Sequence, residues 1–508
     1  VTRKDNTLLR PQLKKNKQYM EKNIKQQNDG ILSMLNPSIL WQHFGVLCTT
    51  PRGSSNEAEI ADYIVSLSQK GGYVVKRDEL HNVIVYLPAS PGLEHLPLRC
   101  LQSHTDMVLA KAPGVENSFP IELQYSDDRK LRATGTTLGA DNGMGASSMM
   151  ALISDDTIPH GPLELVFTVQ EETGLTGAEK LDYTQLKSKM VFNLDSEEED
   201  TLCVGCAGGE KIIGRFSPTF LDFRNLKGTC EMYHITLSGF TGGHSGVEIG
   251  LGRGNAIRAL AKLLIGFDEA SLIDFKGGEA MNAIPRDAEA VITISSDKVE
   301  ALSALVREFN KNSTANYPND KALCMIQKLD TTTATKMFDA QSQKRFLTLL
   351  AKIPNGVISF ESANPKLVRS SSNIGFVETK NNIVEIIILF RSSVERGLND
   401  VESVIKDLFE VAGASVEIKA KFYPWEPQFD TDLLKFTVKT YKKIYQREPK
   451  VETIHAGLEC APFYQNMPGV QIVSFGPDMG DVHTPDEWVD VDSVERFWNF
   501  LLALIQSA

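Results

Sequence analysis

Apolar positions along the chain follow two rhythms. Ile60, Tyr63, Ile64 and Leu67 recur three and four residues apart, which predicts a helix over Ser54 to Lys70, and the run Pro37-Ser-Ile-Leu-Trp-Gln-His-Phe opens another. Short unbroken apolar runs then take over. Residues 83–87, 98–102, 163–169 and 190–194 read as strands, with a helix predicted over Gly143 to Ser154 between two of them. Strands alternating with helices in this way predict an α/β fold, a sheet flanked by helices.

The texture changes after Gly208-Gly209. Tyr233-His-Ile-Thr-Leu-Ser-Gly starts a different alternation, and strands at 290–294 and 383–389 flank helices predicted over Asn255 to Phe267 and Asp297 to Asn310. This segment reads as a large inserted α+β domain, long enough for two such units. It ends near Phe422, where Tyr423-Pro-Trp-Glu-Pro supplies a stiff, turn-prone return. A helix over Asp430 to Gln446, a strand over Val470 to Phe475 and a last helix over Val494 to Gln506 lead back to the first domain. The predicted plan is an N-terminal extension over 1–34, a catalytic domain over 35–209 and 423–508, and the insert over 210–422.

A chain of 508 residues, 42% of them hydrophobic, can bury ample apolar surface in two or more domains. The 53 basic and 65 acidic residues give a net charge of −12, which argues against nucleic acid as a partner. No apolar run is long enough to span a bilayer, so no membrane association is expected. Seven cysteines, few and odd in number, fit a reducing compartment and hence the cytoplasm; the Cys203-Val-Gly-Cys206 step has no second pair and reads as packing. The first 29 or so residues, rich in Lys, Gln and Asn, lack the apolar segment of a secretory signal and read as a solvated or helical extension.

The candidate chemistry centres on the adjacent acids Glu171 and Glu172. His104, Asp141, Asp195 and, much later, His483 are the other potential metal ligands. Those before the insert follow predicted strands, where open α/β sheets place their ligands. Imidazole and carboxylate suit zinc or a similar divalent ion, and five ligands can hold two ions about 3.5 to 4 Å apart if one carboxylate bridges. Asp141, between Gly139 and Gly143, is assigned as the bridge; alone, an Asp before Asn-Gly is a cap or turn residue, and only the constellation makes it a ligand. Adjacent glutamates divide the labour: Glu172 binds metal and Glu171 is the general base that takes a proton from water and delivers it to a leaving amine. Asp106, one residue beyond Thr105 and on the same side of an extended segment as His104, is placed to hold that imidazole's other ring nitrogen. His244, flanked by glycines in the insert, is a candidate donor to an oxyanion.

Seven runs together resemble the aminoacyl-histidine dipeptidases, also called cytosolic nonspecific dipeptidases. They are Gln102-Ser-His-Thr-Asp-Met-Val, Gly135-Thr-Thr-Leu-Gly-Ala-Asp-Asn-Gly-Met-Gly, Gln170-Glu-Glu-Thr-Gly, Asn193-Leu-Asp-Ser-Glu, Gly239-Phe-Thr-Gly-Gly-His-Ser-Gly, Met281-Asn-Ala-Ile-Pro-Arg and His483-Thr-Pro-Asp-Glu. The likeness extends from about residue 35 to the C-terminus, and the long glycine-rich run around Asp141 is specific to this branch. It implies a zinc-peptidase-like catalytic domain and a lid, with His104 and Asp195 on one Zn2+, Glu172 and His483 on the other, and Asp141 across both. Mn2+ or Co2+ are possible substitutes. It also implies that Asn282, Arg391 and Gly457 hold a dipeptide substrate, and that the protein is a homodimer. A forked guanidinium can grip a free α-carboxylate, and Arg369 rivals Arg391 for that task. The same metal geometry would serve an N-acyl amino acid amidohydrolase, and a non-catalytic scaffold is the alternative from another class.

Overall fold

In the computed structural model, residues 20–222, 229–329, 336–362 and 364–508 are described. Most of the N-terminal extension thus lies outside the described residues; its last part, 20–32, is helical. The chain forms two compact units, one of the described residues up to Val204 with Pro427–Glu452 and Leu458–Ala508, the other of Gly205–Glu426 with Thr453–Gly457.

The apolar runs of the first unit form an eight-stranded mixed sheet. Its order is Val74–Arg77, Val83–Leu87, Leu163–Thr168, Arg99–His104, Met190–Asn193, Gln471–Ser474, Thr201–Cys206 and Lys450–Ile454. The four strands from Leu163–Thr168 to Gln471–Ser474 are parallel to one another. All six residues of both Arg99–His104 and Leu163–Thr168 are buried, the pattern of parallel strands covered on both faces. Ser38–Thr49, Ala58–Lys70 and Ala140–Ser154 pack together, and Asp432–Tyr445 packs on both Gln471–Ser474 and Val491–Ile505. Because these central strands run the same way, His104, Glu171, Glu172 and Asp195 all emerge at their carboxyl ends.

A separate four-stranded sheet, in the order Met479–Gly480, Trp488–Asp490, Lys130–Ala133 and Leu123–Tyr125, carries His483 in the turn between its first two strands. Asp481 and His483 in that turn both have left-handed backbones, with φ of 51° and 64°. Neither is glycine, so each costs about 1–2 kcal/mol of local strain.

The predicted helix from Ser54 starts only at Ala58. Ser55 is left-handed, with φ 69°, and the buried Glu57 side chain accepts from Ser55 N and Gln170 N, both at 3.0 Å. The residues ahead of Ala58 are therefore used to fix the loop that carries Glu171. The helix predicted from Gly143 begins at Ala140, with a break at Asp141 and Asn142, whose linking peptide is cis.

The second unit is built on a nine-stranded antiparallel sheet. Its main path is Leu323–Leu329, Cys230–Ser238, Ala288–Ser295, Ala270–Gly277, Val368–Lys380, Ile383–Ser392, Gly208–Phe216 and Ser415–Phe422, with Gly356–Phe360 paired to Val368–Lys380. The sequence suggests two α+β units here; the structure joins them in one sheet. Ala256–Ile265 and Val299–Asn316 pack on the first four strands, Glu395–Ala412 on the last four, and Ala340–Lys352 on Ala270–Gly277, wedged against Ala256–Ile265 and Glu395–Ala412. Among the described residues, only the pairs Lys276–Glu378 and Gly277–Val377 join the two halves by strand register, yet one apolar core containing Phe275, Phe346, Phe216 and Phe409 runs through both.

Gly214 shows how tightly that core is filled: a Cβ there would stand 1.9 Å from the Phe409 ring. Gly214→Ala is expected to lower stability by about 1–3 kcal/mol, read from the urea unfolding midpoint. Adding Phe409→Leu should restore part of the loss.

Candidate active site

His104 ends its strand fully buried, with both ring nitrogens committed. Nδ1 faces the Asp106 backbone carbonyl at 3.2 Å and its carboxylate Oδ1 at 3.4 Å, leaving Nε2 directed at Asp141 Oδ1, 3.1 Å away, and Asp195 Oδ1, 3.3 Å away. Asp106 also accepts from Ser54 Oγ, Glu171 N and Glu172 N at 2.8, 3.0 and 3.3 Å. One carboxylate thus orients the imidazole and the backbone of both glutamates.

On the other side of Asp141, Oδ2 lies 3.1 Å from His483 Nε2, and that nitrogen is 2.9 Å from Glu172 Oε2. Residues 342 positions apart in sequence therefore meet at one carboxylate. Ligand atoms of His104, Asp141 and Glu172 all fall within 4.8 Å of one another.

The electrostatics mark the cage as a cation site. Burial opposes protonation of His104, but the surrounding Asp195, Asp106 and Asp141 hold its pKa well above the ordinary value. Hydrogen bonds to Asp141 and Glu172 raise His483 to about 11. Burial lifts Asp195 to about 6, helped by Asp141 and Glu172, and lifts Glu171 well above the carboxylate range, with Asp195, Glu172 and Glu459 adding to it. Five acids around two imidazoles leave an excess of negative charge, screened by water mainly from the side of the half-exposed His483. Glu172 Oε1 is also buried with no hydrogen-bond partner among the described residues. Carboxylate and imidazole donors with an orphaned oxygen fit a divalent ion.

Behind the cage, Glu459 is fully buried and accepts from Gln102 Nε2 and Thr168 Oγ1, both at 2.5 Å, while Asn193 Nδ2 donates to Gln102 Oε1 at 2.6 Å. This network ties together the ends of the three strands that lead to His104, Glu171 and Asp195. Burial pushes the Glu459 carboxyl up to about 8.

Within the second unit, His244, Arg391 and His455 converge. A Cβ on Gly246 would lie 2.6 Å from the His455 carbonyl, 2.9 Å from His244 Cε1 and 3.2 Å from Arg391 Nε. His244 Nδ1 accepts from Gly246 N and Val247 N, at 3.3 and 3.2 Å, which puts the proton of the neutral ring on Nε2. Ser245 N donates to Asn282 O at 2.8 Å, holding the Asn282 loop beside His244. Arg391 is buried, its Nε has no partner, and it makes no ion pair with a carboxylate among the described residues; burial lowers its pKa to about 10. A desolvated guanidinium of this kind is costly unless an anion joins it. The rival Arg369 is only half-buried. His455, two residues before Gly457, is held neutral by burial, with its pKa at about 3, and pairs with Ser371 Oγ at 2.7 Å.

Sequence reasoning brings together His104, Asp106, Asp141, Glu171, Glu172, Asp195 and His483 in the first unit, and His244, Asn282, Arg391 and Gly457 lie in the second. It gives no role to Arg52, Glu57, Glu459 or Glu487. Glu487 ends the His483-Thr-Pro-Asp-Glu run and Glu459 lies two residues past Gly457, but their work is done on backbone groups and side chains far away in sequence.

A mixed sheet with an acid and imidazole cage at its strand ends, in a chain that also carries an inserted antiparallel domain, defines a metal-dependent hydrolase. Residues 100–507 match the model of peptidase family M20/M25/M40. The chain is 38% identical over 484 residues to the cytosol non-specific dipeptidase of Escherichia coli (strain K12), covering 94% of this chain and 98% of that one. The crystal structure of aminoacylhistidine dipeptidase from Vibrio alginolyticus superposes with a TM-score of 0.85 at 34% identity, covering 94% and 97% of the two chains. Aminopeptidase PepT of Bacillus cereus, at 19% identity and a TM-score of 0.57, shares the fold. The chain belongs to peptidase family M20/M25/M40 and is a metallopeptidase.

Asp106→Asn keeps the shape of the side chain but removes the charge that faces His104. It is expected to weaken metal binding about 10–100-fold, measured by competition with a chelator.

Proposed function

We propose that the protein is a dinuclear zinc dipeptidase that hydrolyses Xaa-His and other dipeptides, works in the cytoplasm as a homodimer and accepts Mn2+ or Co2+ in place of zinc. The observation that carries the reading is the division of Asp141, one oxygen toward His104 and Asp195 and the other toward His483 and Glu172. Full-length similarity to a cytosol non-specific dipeptidase supports the substrate class and the compartment. Among the described residues, no helix is long and apolar enough to cross a membrane.

His104 and Asp195 would hold one ion and Glu172 and His483 the other, with Asp141 placed to serve both. When bound, such a pair polarises the scissile carbonyl and makes water a nucleophile near neutral pH. The chain's own residues do the rest. Glu171 takes the proton of the attacking water and passes it to the leaving amine. Asp106 keeps the His104 ring in one orientation. His244 donates a hydrogen bond from Nε2–H to the developing oxyanion. Arg391 takes the free α-carboxylate, and Asn282 and the backbone at Gly457 border the C-terminal residue. Selection for short substrates with an open C-terminus follows from that guanidinium.

Glu171→Gln is expected to lower kcat about 10²–10⁴-fold with the metal content unchanged, checked by metal analysis beside dipeptide hydrolysis. Arg391→Lys replaces the fork with a point charge and should raise KM for dipeptides about 10–100-fold. Assayed together, a free dipeptide, its N-acetyl form and an N-acyl amino acid should rank in that order; preference for the last would make the protein an aminoacylase instead.

A further inference from the structure

Glu487 lies four residues beyond His483 and is buried, 2% exposed. Its Oε2 accepts from Leu138 N at 2.8 Å and Gly139 N at 2.9 Å, and its Oε1 from Ala140 N at 2.8 Å and Asp141 N at 3.4 Å. Four consecutive backbone N–H groups thus wrap one carboxyl group, an arrangement that uses acceptors on both of its oxygens. Glu487 N in turn donates to Thr484 O at 3.2 Å, closing the turn that starts at His483.

Arg52, fully buried, holds the same loop through its carbonyls. Its Nη2 donates to Gly139 O at 2.6 Å, and its Nη1 to Thr105 O at 3.0 Å and Asp106 O at 3.1 Å. A Cβ on Gly139 would meet Arg52 Nη2 at 2.3 Å, so the glycine is what lets the guanidinium reach the backbone. The two buried side chains grip opposite edges of one peptide segment, with Glu487 on its N–H groups and Arg52 on a carbonyl.

We infer that Glu487 is a positioning residue for the second metal: by binding the backbone of 138–141 it sets the distance from Asp141 to His483. The inference rests on the dinuclear reading above. Strand pairing of Trp488–Asp490 with Lys130–Ala133 joins the segments that flank the two loops, and Glu487 carries that link into the loops themselves, where His483 reaches Asp141 through the side-chain contact the ion would interrupt. Glu487→Gln keeps size but turns a donor toward a ring of donors, so the loop must shift.

The test is zinc titration of the metal-free, full-length chain by calorimetry with chelator buffering, for wild type, Glu487→Gln and the shorter Glu487→Asp, with folding checked by circular dichroism. His483→Ala identifies which of the two binding steps belongs to that side. Both Glu487 variants should weaken that step about 10–100-fold, leave the other step within about threefold of wild type, and regain most of kcat at saturating zinc with KM little changed. Equal weakening of both steps, no weakening of either, or loss of folding in both variants would overturn the inference. Wild type binding fewer than two ions would instead sink the dinuclear reading, which keeps the two failures apart.

Discussion

Repulsion among buried carboxylates is the constraint around which the catalytic unit is organised. Asp106, Asp141, Glu171, Glu172 and Asp195 crowd two imidazoles where solvent screening is poor, and Asp195 and Glu171 are both driven upward in pKa as a result. A protein tolerates such a collection only if it is locked in place and a cation offsets it. The first requirement explains the neighbourhood: Asp106 braces His104 and the Glu171 loop, Glu57 braces Gln170, and Glu459 ties the strand ends through Gln102 and Thr168. Rigid parallel strands bring the short-range ligands to one edge, and a small separate sheet delivers His483.

The two units contribute different chemistry. The first concentrates acids and imidazoles. The second presents donors, with His244 Nδ1 taken up by backbone N–H groups and Arg391 buried without a countercharge among the described residues. The division also fits the architecture, since an antiparallel sheet with one helix-covered face leaves strand ends and loops such as Gly239–Gly246 available for recognition.

Much of the cage is legible in sequence because metal chemistry restricts residue types and because strand ends recur at predictable places. Continuous apolar runs reveal Leu163–Thr168 and Met190–Asn193, and hence where Glu171 and Asp195 emerge. What stays hidden is whatever acts on the backbone. Arg52 looks like a loop arginine, and Glu487 like the acidic end of a turn, until folding brings each to peptide groups dozens or hundreds of positions away. The late start of the helix at Ala58 has the same origin: local spacing favours an earlier start, but Glu57 is spent on Gln170. The single sheet of the second unit was likewise beyond periodicity, which reports the strands of each half and not the two residue pairs that join them.

That join has a bearing on how the second unit keeps its halves in line. Register fixes strands by numbered partners, whereas apolar contact between side chains has no such addressing. The ladder across the join is short, Lys276–Glu378 and Gly277–Val377, and side chains extend it: Thr379 Oγ1 bridges both backbone groups of Phe275, and Asn255 Nδ2 donates to Ile374 O. Addressed bonds thus come from polar side chains where strand pairing runs out, and the Phe275 and Phe346 rings fill the space behind them.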